Sequence, residues 1–223
     1  MTKQEQLAQY SWRYEGDWAR IANAIRREEP PGSETIKDRY VTIYDEAYPQ
    51  SLRNLRYPPW VLFYRGNLDL LNTSCATIVG SRRMTWYGKA SAELSASILS
   101  EHFTLVSGLA KGVDAIVHRV AIAKGSHTIG VIGCGLNTRY PKENEYLYKR
   151  MEEEQLILSE IFLNRLRFRR RLDYYEMFHV CPFSVYHVCV QLTIPKNNPR
   201  FLSWQVFYVI DRSGRNSSRS FRS

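Results

Sequence analysis

An α/β fold on a parallel sheet is what the sequence predicts, and three features of residues 75–160 predict it. Short apolar runs recur at 75–80, 103–106, 128–132 and 156–158. Amphipathic stretches of helical length lie between them, at 88–101, 113–124 and 143–154. Small-residue loops follow the first three runs: Gly80-Ser81, Ser107-Gly108 and Gly133-Cys134-Gly135. A strand buried on both faces reads as a continuous apolar run, and strands that alternate with helices pair in parallel with the helices packed on the sheet. The expectation is a sheet truncated after about four such strands, with a small helical region before it and an atypical basic tail after it.

Before the sheet, residues 6–29 space Leu7, Tyr10, Trp18, Ile21 and Ile25 among charges. This partly helical pattern stops at Pro30-Pro31-Gly32, so one or two short helices are expected. Residues 34–55 are polar with scattered aromatics. Tyr57-Pro58-Pro59-Trp60 fixes an extended or turning segment, because a residue preceding proline avoids the helical region. Val61-Leu62-Phe63-Tyr64 reads as a short strand, Arg65-Gly66-Asn67 as a turn and residues 68–71 as a connector. Of the sheet's own elements, the helix at 113–124 carries Asp114 in its first turn, where the helix dipole favours an acid. The chain divides into residues 1–70, a helical region and connector; 71–160, the sheet; and 161–223, the tail.

Hydrophobic residues make up 44% of the 223 and aromatic ones 13%, which excludes wholesale disorder, collagen-like repeats and a disulfide-dense miniprotein. No stretch approaches the roughly 20 apolar residues of a membrane span, and the first residues hold no signal-type apolar run. A cytoplasmic protein with no membrane partner is expected. Cys75, Cys134, Cys181 and Cys189 form no CxxC pair, which leaves reduced thiols as the expectation. The net charge of +9 is lopsided: residues 161–223 hold 11 Lys and Arg against 3 Asp and Glu, whereas residues 1–160 hold 20 against 19. Five arginines crowd into residues 165–171 (RLRFRRR), and Gly214 is the only glycine of the tail.

Ligands of open α/β sheets bind outside the carboxyl ends of the strands, where the three loops fall. In the first, Gly80 allows close backbone approach, Ser81 offers a hydroxyl and Arg82 a cation that grips phosphate with two prongs. In the second, Ser107-Gly108-Leu109-Ala110-Lys111-Gly112 leaves room beside a helix amino terminus, whose N–H groups and dipole favour an anion, and Lys111 adds a point charge. The third, Gly133-Cys134-Gly135, runs on to Asn137 and Tyr140-Pro141. Singly, each glycine is equally well explained by packing at a strand-to-helix turn; together the loops point to phosphate. Neither GxGxxG nor GxxxxGK[ST] occurs, so neither a dinucleotide nor any other cofactor is expected, nor an ATP-hydrolysing P-loop.

Read in order, Gly80-Ser81-Arg82 with Tyr87-Gly88, Ser107 through Asp114 with His118, and Val131-Ile132-Gly133 through Tyr140-Pro141 resemble the DNA-processing protein A (DprA/Smf) family. Tyr48-Pro49, Leu52 and residues 60–66 are similar to the stretch preceding that family's Rossmann-like domain, so the resemblance covers about residues 40–160. It implies a Rossmann-like sheet in a non-catalytic protein that binds single-stranded DNA and loads a RecA-type recombinase on it in natural transformation, as a homodimer. Arg82 and Lys111 match positions of a basic DNA-binding pocket. Gly80, Ser81, Ser107, Gly108 and Gly112 fall in its loops, where they would let the sugar-phosphate backbone come close. Gly133 and Gly135 are read as structural. His118 lies four residues after Asp114, a spacing that brings both side chains to one helix face. A structural Asp114–His118 hydrogen bond is expected in preference to general-base catalysis, because no nucleophile or metal set accompanies the pair. Trp86 and Tyr87 have two readings of equal weight, stacking on a base or packing around the loop.

After Leu158-Ser159-Glu160 the resemblance stops. The family continues with Tyr or Phe, a Pro-Gly turn and F-P-x-R-N-R before an apolar A/S-G-L, and none of these follows here. A reading-frame change at or just after Glu160 accounts for the motif loss and the composition break together, and implies a truncated or impaired form with an apolar sheet edge. The competing reading is an authentic basic tail whose arginines grip phosphates. Either way, recombinase loading and dimer contacts, which the family assigns to the missing half, are in doubt for this chain. His179, Cys181, His187 and Cys189 fit no usual zinc order or spacing, so no metal is expected. A reading from another class is a nucleotide or nucleoside-phosphate hydrolase in which Asp114 or Glu143 assists water. The lack of a compact carboxylate cluster tells against it.

Overall fold

A computed structural model of the chain describes residues 1–162 together with two further strands at 184–193 and 203–207. Helices α1 (Lys3–Tyr14) and α2 (Trp18–Arg26) come first. Thr2 accepts from the Glu5 N–H while the Glu5 carboxylate accepts from the Thr2 N–H, a reciprocal cap for amides that a helix end leaves unpaired. Asp17 caps α2 by accepting from the Arg20 N–H. Stacked Trp18 and Trp60 rings, 5.4 Å apart, then tie α2 to the chain entering the sheet.

Next come β1 (Arg39–Thr42), α3 (Gln50–Arg53) and β2 (Val61–Gly66). The alternation read from the sequence follows: β3 (Cys75–Gly80), α4 (Trp86–Leu99), β4 (Thr104–Ser107), α5 (Val113–Ala123), β5 (Thr128–Ile132), α6 (Glu145–Glu154) and β6 (Leu156–Ser159). Strands β3, β4, β5 and β6 are parallel neighbours in that order, and β2 and β1 extend the β6 side antiparallel. Because each crossover steps the same way and crossovers of this kind are right-handed, α4, α5 and α6 share one face. Their apolar sides meet Ala76, Ile78 and Leu105 under α4 and α5, and Phe63, Ile132 and Ile157 under α1 and α6. On α4 the inward residues are Ala92 and Ala96, small enough to bring the helix close. The alternate residues of the strands, among them Leu62, Val106, Ile129 and Leu158, form a second core with Tyr48, Leu52, Leu70 and Leu71.

Two stretches differ from the sequence expectation. Residues 39–42, within the polar segment, form β1 because pairing with β2 (Val41 opposite Leu62) buries Val41 and Thr42. Arg65-Gly66, read as a turn, stays in the ladder opposite Ile157 and Leu156. The tail contributes β7 (Ser184–Thr193), parallel to β3, and β8 (Ser203–Phe207), antiparallel to β7. Strand β3 is therefore paired on both sides, by β4 and by β7. A ladder is made of backbone N–H and C=O groups, so it forms where side-chain periodicity is weak. The arginine cluster at 165–171, with His179 and Cys181, lies outside the described residues.

Gly66 sits at φ +99°, and a Cβ there would stand 1.9 Å from the Gln155 carbonyl oxygen, which accepts from the Asn67 N–H at 2.7 Å. Gly125 has φ +68° but nothing within 4 Å. Gly125→Ala is therefore expected to cost about 1–2 kcal/mol of backbone strain, whereas Gly66→Ala costs that strain plus displacement of β6. Urea midpoints measure both; equal losses would contradict this reading of the β2–β6 junction.

Candidate functional site

Parallel pairing of β3, β4 and β5 brings their carboxyl ends to one edge of the sheet, with neighbouring strands about 4.8 Å apart. The three loops singled out in the sequence therefore lie side by side, the loop after β4 in the middle. Gly112 joins it to the loop after β3. At φ +85° its backbone lies so close that a Cβ would stand 2.2 Å from the Ser81 carbonyl oxygen and 2.9 Å from the Arg82 Cα. The Val113 N–H donates to that Ser81 carbonyl at 3.3 Å. A β-carbon at position 112 would push the two loops apart.

Asp114 lies beneath this junction, 5% exposed, with the Ser107 hydroxyl, the Gly80 and Ala110 backbone and the Arg82 charge close by. Its Oδ1 lacks a hydrogen-bond partner among the described residues. Burial pushes the carboxyl up to about 6 against the opposing pull of Ser107, Arg82 and the two backbone groups. Asp114 stands in the first turn of α5, and the Val113 N–H at that helix start is used by the Ser81 carbonyl.

The expected Asp114–His118 hydrogen bond is not formed. His118 is fully buried, with Nε2 2.5 Å from the Gly108 carbonyl and Nδ1 2.7 Å from the Thr128 hydroxyl. A carbonyl only accepts, so Nε2 carries the hydrogen, and burial pushes the imidazole down to about 4, neutral at pH 7. His118 ties the β4 loop to β5, a role hidden from helix spacing because its partners lie on other elements. Ser107 similarly donates to the Ile78 carbonyl at 2.7 Å, bonding β4 to β3.

Lys111 is exposed, with Nζ 2.5 Å from Glu143 Oε1. Lys111 holds the Glu143 carboxyl below its ordinary range. The neighbouring Asn144 donates to the Leu109 and Ala110 carbonyls at 3.0 and 3.1 Å, pinning the middle loop from the third side. Sequence reading missed Asn144 because an Asn before a helix has an ordinary capping role. In the third loop, the Cys134 carbonyl accepts from the Ser159 hydroxyl at 2.7 Å and the Gly135 carbonyl from the Thr138 N–H at 2.8 Å. Gly133 is exposed and Gly135 buried. Arg65 reaches across from β2 to the Leu136 carbonyl, Glu152 and Asp38, each at 3.1 Å.

Of the two carboxylates the hydrolase reading names, Asp114 is buried and Glu143 is exposed and paired with Lys111. Cys75 and Cys134 are buried free thiols that burial pushes upward, so neither is a ready nucleophile. Among the described residues no three His, Cys, Asp or Glu side chains converge as metal ligands, and no helix is long and apolar enough to cross a membrane.

Residues 39–171 match the family model of DNA recombination-mediator protein A. The chain is 42% identical over 119 residues to DNA processing protein DprA of Streptococcus pneumoniae, a match covering 53% of this chain and 42% of that protein. It is 38% identical over 122 residues to DprA of Bacillus subtilis, covering 54% and 41%. The chain thus spans less than half the length of these relatives. The X-ray structure of the Streptococcus pneumoniae protein superposes with a TM-score of 0.65 at 31% identity, over 77% of this chain and 59% of that one. DNA processing protein A of Helicobacter pylori, a structure described for its mode of binding single-stranded DNA, superposes at 0.59 with 28% identity over 69% of each chain.

His118 and Asp114 make opposite contributions to stability. His118 falls from 6.5 to about 4 on folding, so its contribution is present above pH 6.5 and is lost as pH falls toward 4. Asp114 rises from 3.8 to about 6, so its contribution is present below pH 3.8 and is lost as pH rises through 6. At 1.36 kcal/mol per unit each amounts to about 3 kcal/mol, and between pH 4 and 6.5 they nearly cancel. Asp114→Asn is expected to lose about 2–3 kcal/mol more than the wild type on going from pH 7 to pH 4. Parallel pH–stability curves from denaturant titrations would refute the assignment.

Proposed function

The chain belongs to the DNA recombination-mediator protein A family, and from that premise we propose that it binds single-stranded DNA along the carboxyl edge of β3 and β4, as a binding protein and not as an enzyme. Residues 71–160 carry the contacts, and residues 1–70 brace the sheet from the β6 side. Arg82 and Lys111 neutralise phosphates. Gly80, Ser81, Ser107, Gly108 and Gly112 form the low-profile floor between them. The observation that carries the reading is the seating of the Arg82 and Lys111 loops on adjacent strand ends through Gly112. The relative from Helicobacter pylori, whose structure concerns single-stranded DNA, supports the choice of ligand. Such a protein works in the cytoplasm, where DNA is handled.

Each cation has a carboxylate counterpart of different character. Asp114 is buried, with the Arg82 charge near it. Glu143 is exposed, and water and salt screen its pairing with Lys111, so a phosphate displaces it at little cost. Affinity in this scheme is dominated by counterion release and carries little base preference. Recombinase loading and pairing of copies belong to the family as a whole, and the proposal for this chain is confined to DNA.

Arg82→Ala and Lys111→Ala are each expected to weaken oligonucleotide binding and to flatten the plot of log affinity against log salt by about 0.7 for every phosphate that is no longer neutralised. Glu143→Gln is expected to tighten binding by freeing Lys111. Fluorescence anisotropy over a salt series reads all three; unchanged affinity in both alanine variants would remove the pocket.

A further inference from the structure

Four residues beyond Arg82 the chain enters α4 through Trp86 and Tyr87, and the structure separates the two readings the sequence left equal. Trp86 is 82% exposed, so its ring is not packed around the loop, and Tyr87 beside it is 41% exposed. The rings stand nearly perpendicular, at 78° with centroids 5.9 Å apart, so Tyr87 braces the indole edge-on. The Thr85 hydroxyl, accepting from the Gly88 N–H at 3.2 Å, fixes the helix start that carries both. Four residues of extended chain span at most about 14 Å, so Trp86 lies within that reach of Arg82. Its charged neighbours in sequence, Arg83 and Lys89, are exposed cations, with Lys89 only loosely paired to Glu93 at 3.8 Å.

We propose that Trp86, braced by Tyr87, is a stacking platform for one base of a single strand whose phosphates meet Arg82. This rests on the DNA-binding reading above and extends its footprint from the loops onto the first turn of α4. A braced indole loses little freedom on stacking, and every nucleobase presents a π-face, so the platform adds affinity without sequence preference. Further along α4, Leu94 and Ile98 are also exposed, at 63% and 56%, but the charges there include Glu93 and Glu101, which repel a nucleic acid. The platform is therefore assigned to the amino-terminal end alone.

The test compares the wild-type chain with Trp86→Ala and Trp86→Phe, titrated with oligothymidylate and with an abasic oligonucleotide of equal length. Trp86→Ala is expected to weaken oligothymidylate binding roughly five- to 100-fold without altering its salt slope, to leave abasic binding unchanged, and to be largely rescued by Phe. Equal affinities for wild type and Trp86→Ala with oligothymidylate would overturn the platform while leaving the loop contacts standing. Equal weakening toward both oligonucleotides would overturn it in favour of a structural role. A Trp86→Ala chain that binds DNA like the wild type but sediments as a smaller species would assign the ring to contact between copies. A wild type that binds neither oligonucleotide would overturn the DNA-binding reading, and the platform with it.

Discussion

The site depends on one close approach, the Gly112 backbone lying against the Ser81 carbonyl and Arg82. Adjacent parallel strands set their following loops only one strand spacing apart, and two loops with ordinary side chains do not fit there face to face. A glycine at positive φ ends the β4 loop, lets α5 begin, and accepts the β3 loop on its bare side. The Val113 N–H then completes the junction by donating to Ser81. The seating of the β3 loop and the start of α5 both follow from that fit.

Beneath the junction, buried polar groups take the place that apolar packing has elsewhere in the sheet. Ser107 bonds to β3, and His118 reaches back to the Gly108 carbonyl and across to Thr128 on β5. Asp114 gathers the Gly80 and Ala110 backbone. Polar groups out of water are costly unless partnered, so a network of this kind holds three strand ends in one arrangement. Under the proposed binding of a flexible single strand, such a floor would leave the ordering cost to the nucleic acid alone.

Much of the fold was legible in the sequence because local and global signals agree between Cys75 and Ser159. Apolar runs, amphipathic helical stretches and small loops alternate there, and each becomes the expected element. Strand β1 was missed because residues 39–42 are polar in themselves, when pairing with β2 decides their state. The strands β7 and β8 escaped because periodicity in the tail is weak and backbone pairing decides its state. At the candidate site, the sequence places Arg82, Lys111 and the glycines in loops that the fold sets side by side. The partners were not legible: Glu143, Asn144 and Thr128 are remote in sequence from the groups they hold, and His118 and Asp114 sit on one helix face without bonding to each other.

Hydrogen exchange of the full chain with and without a saturating oligothymidylate is the most direct test of the claim that the β3 and β4 loops form the DNA-binding edge. The expected result is slowed exchange confined to residues 80–89 and 107–113, with α1 and α2 unchanged. Protection centred on the amino-terminal helices, or none at the two loops when the oligonucleotide is bound, would contradict it.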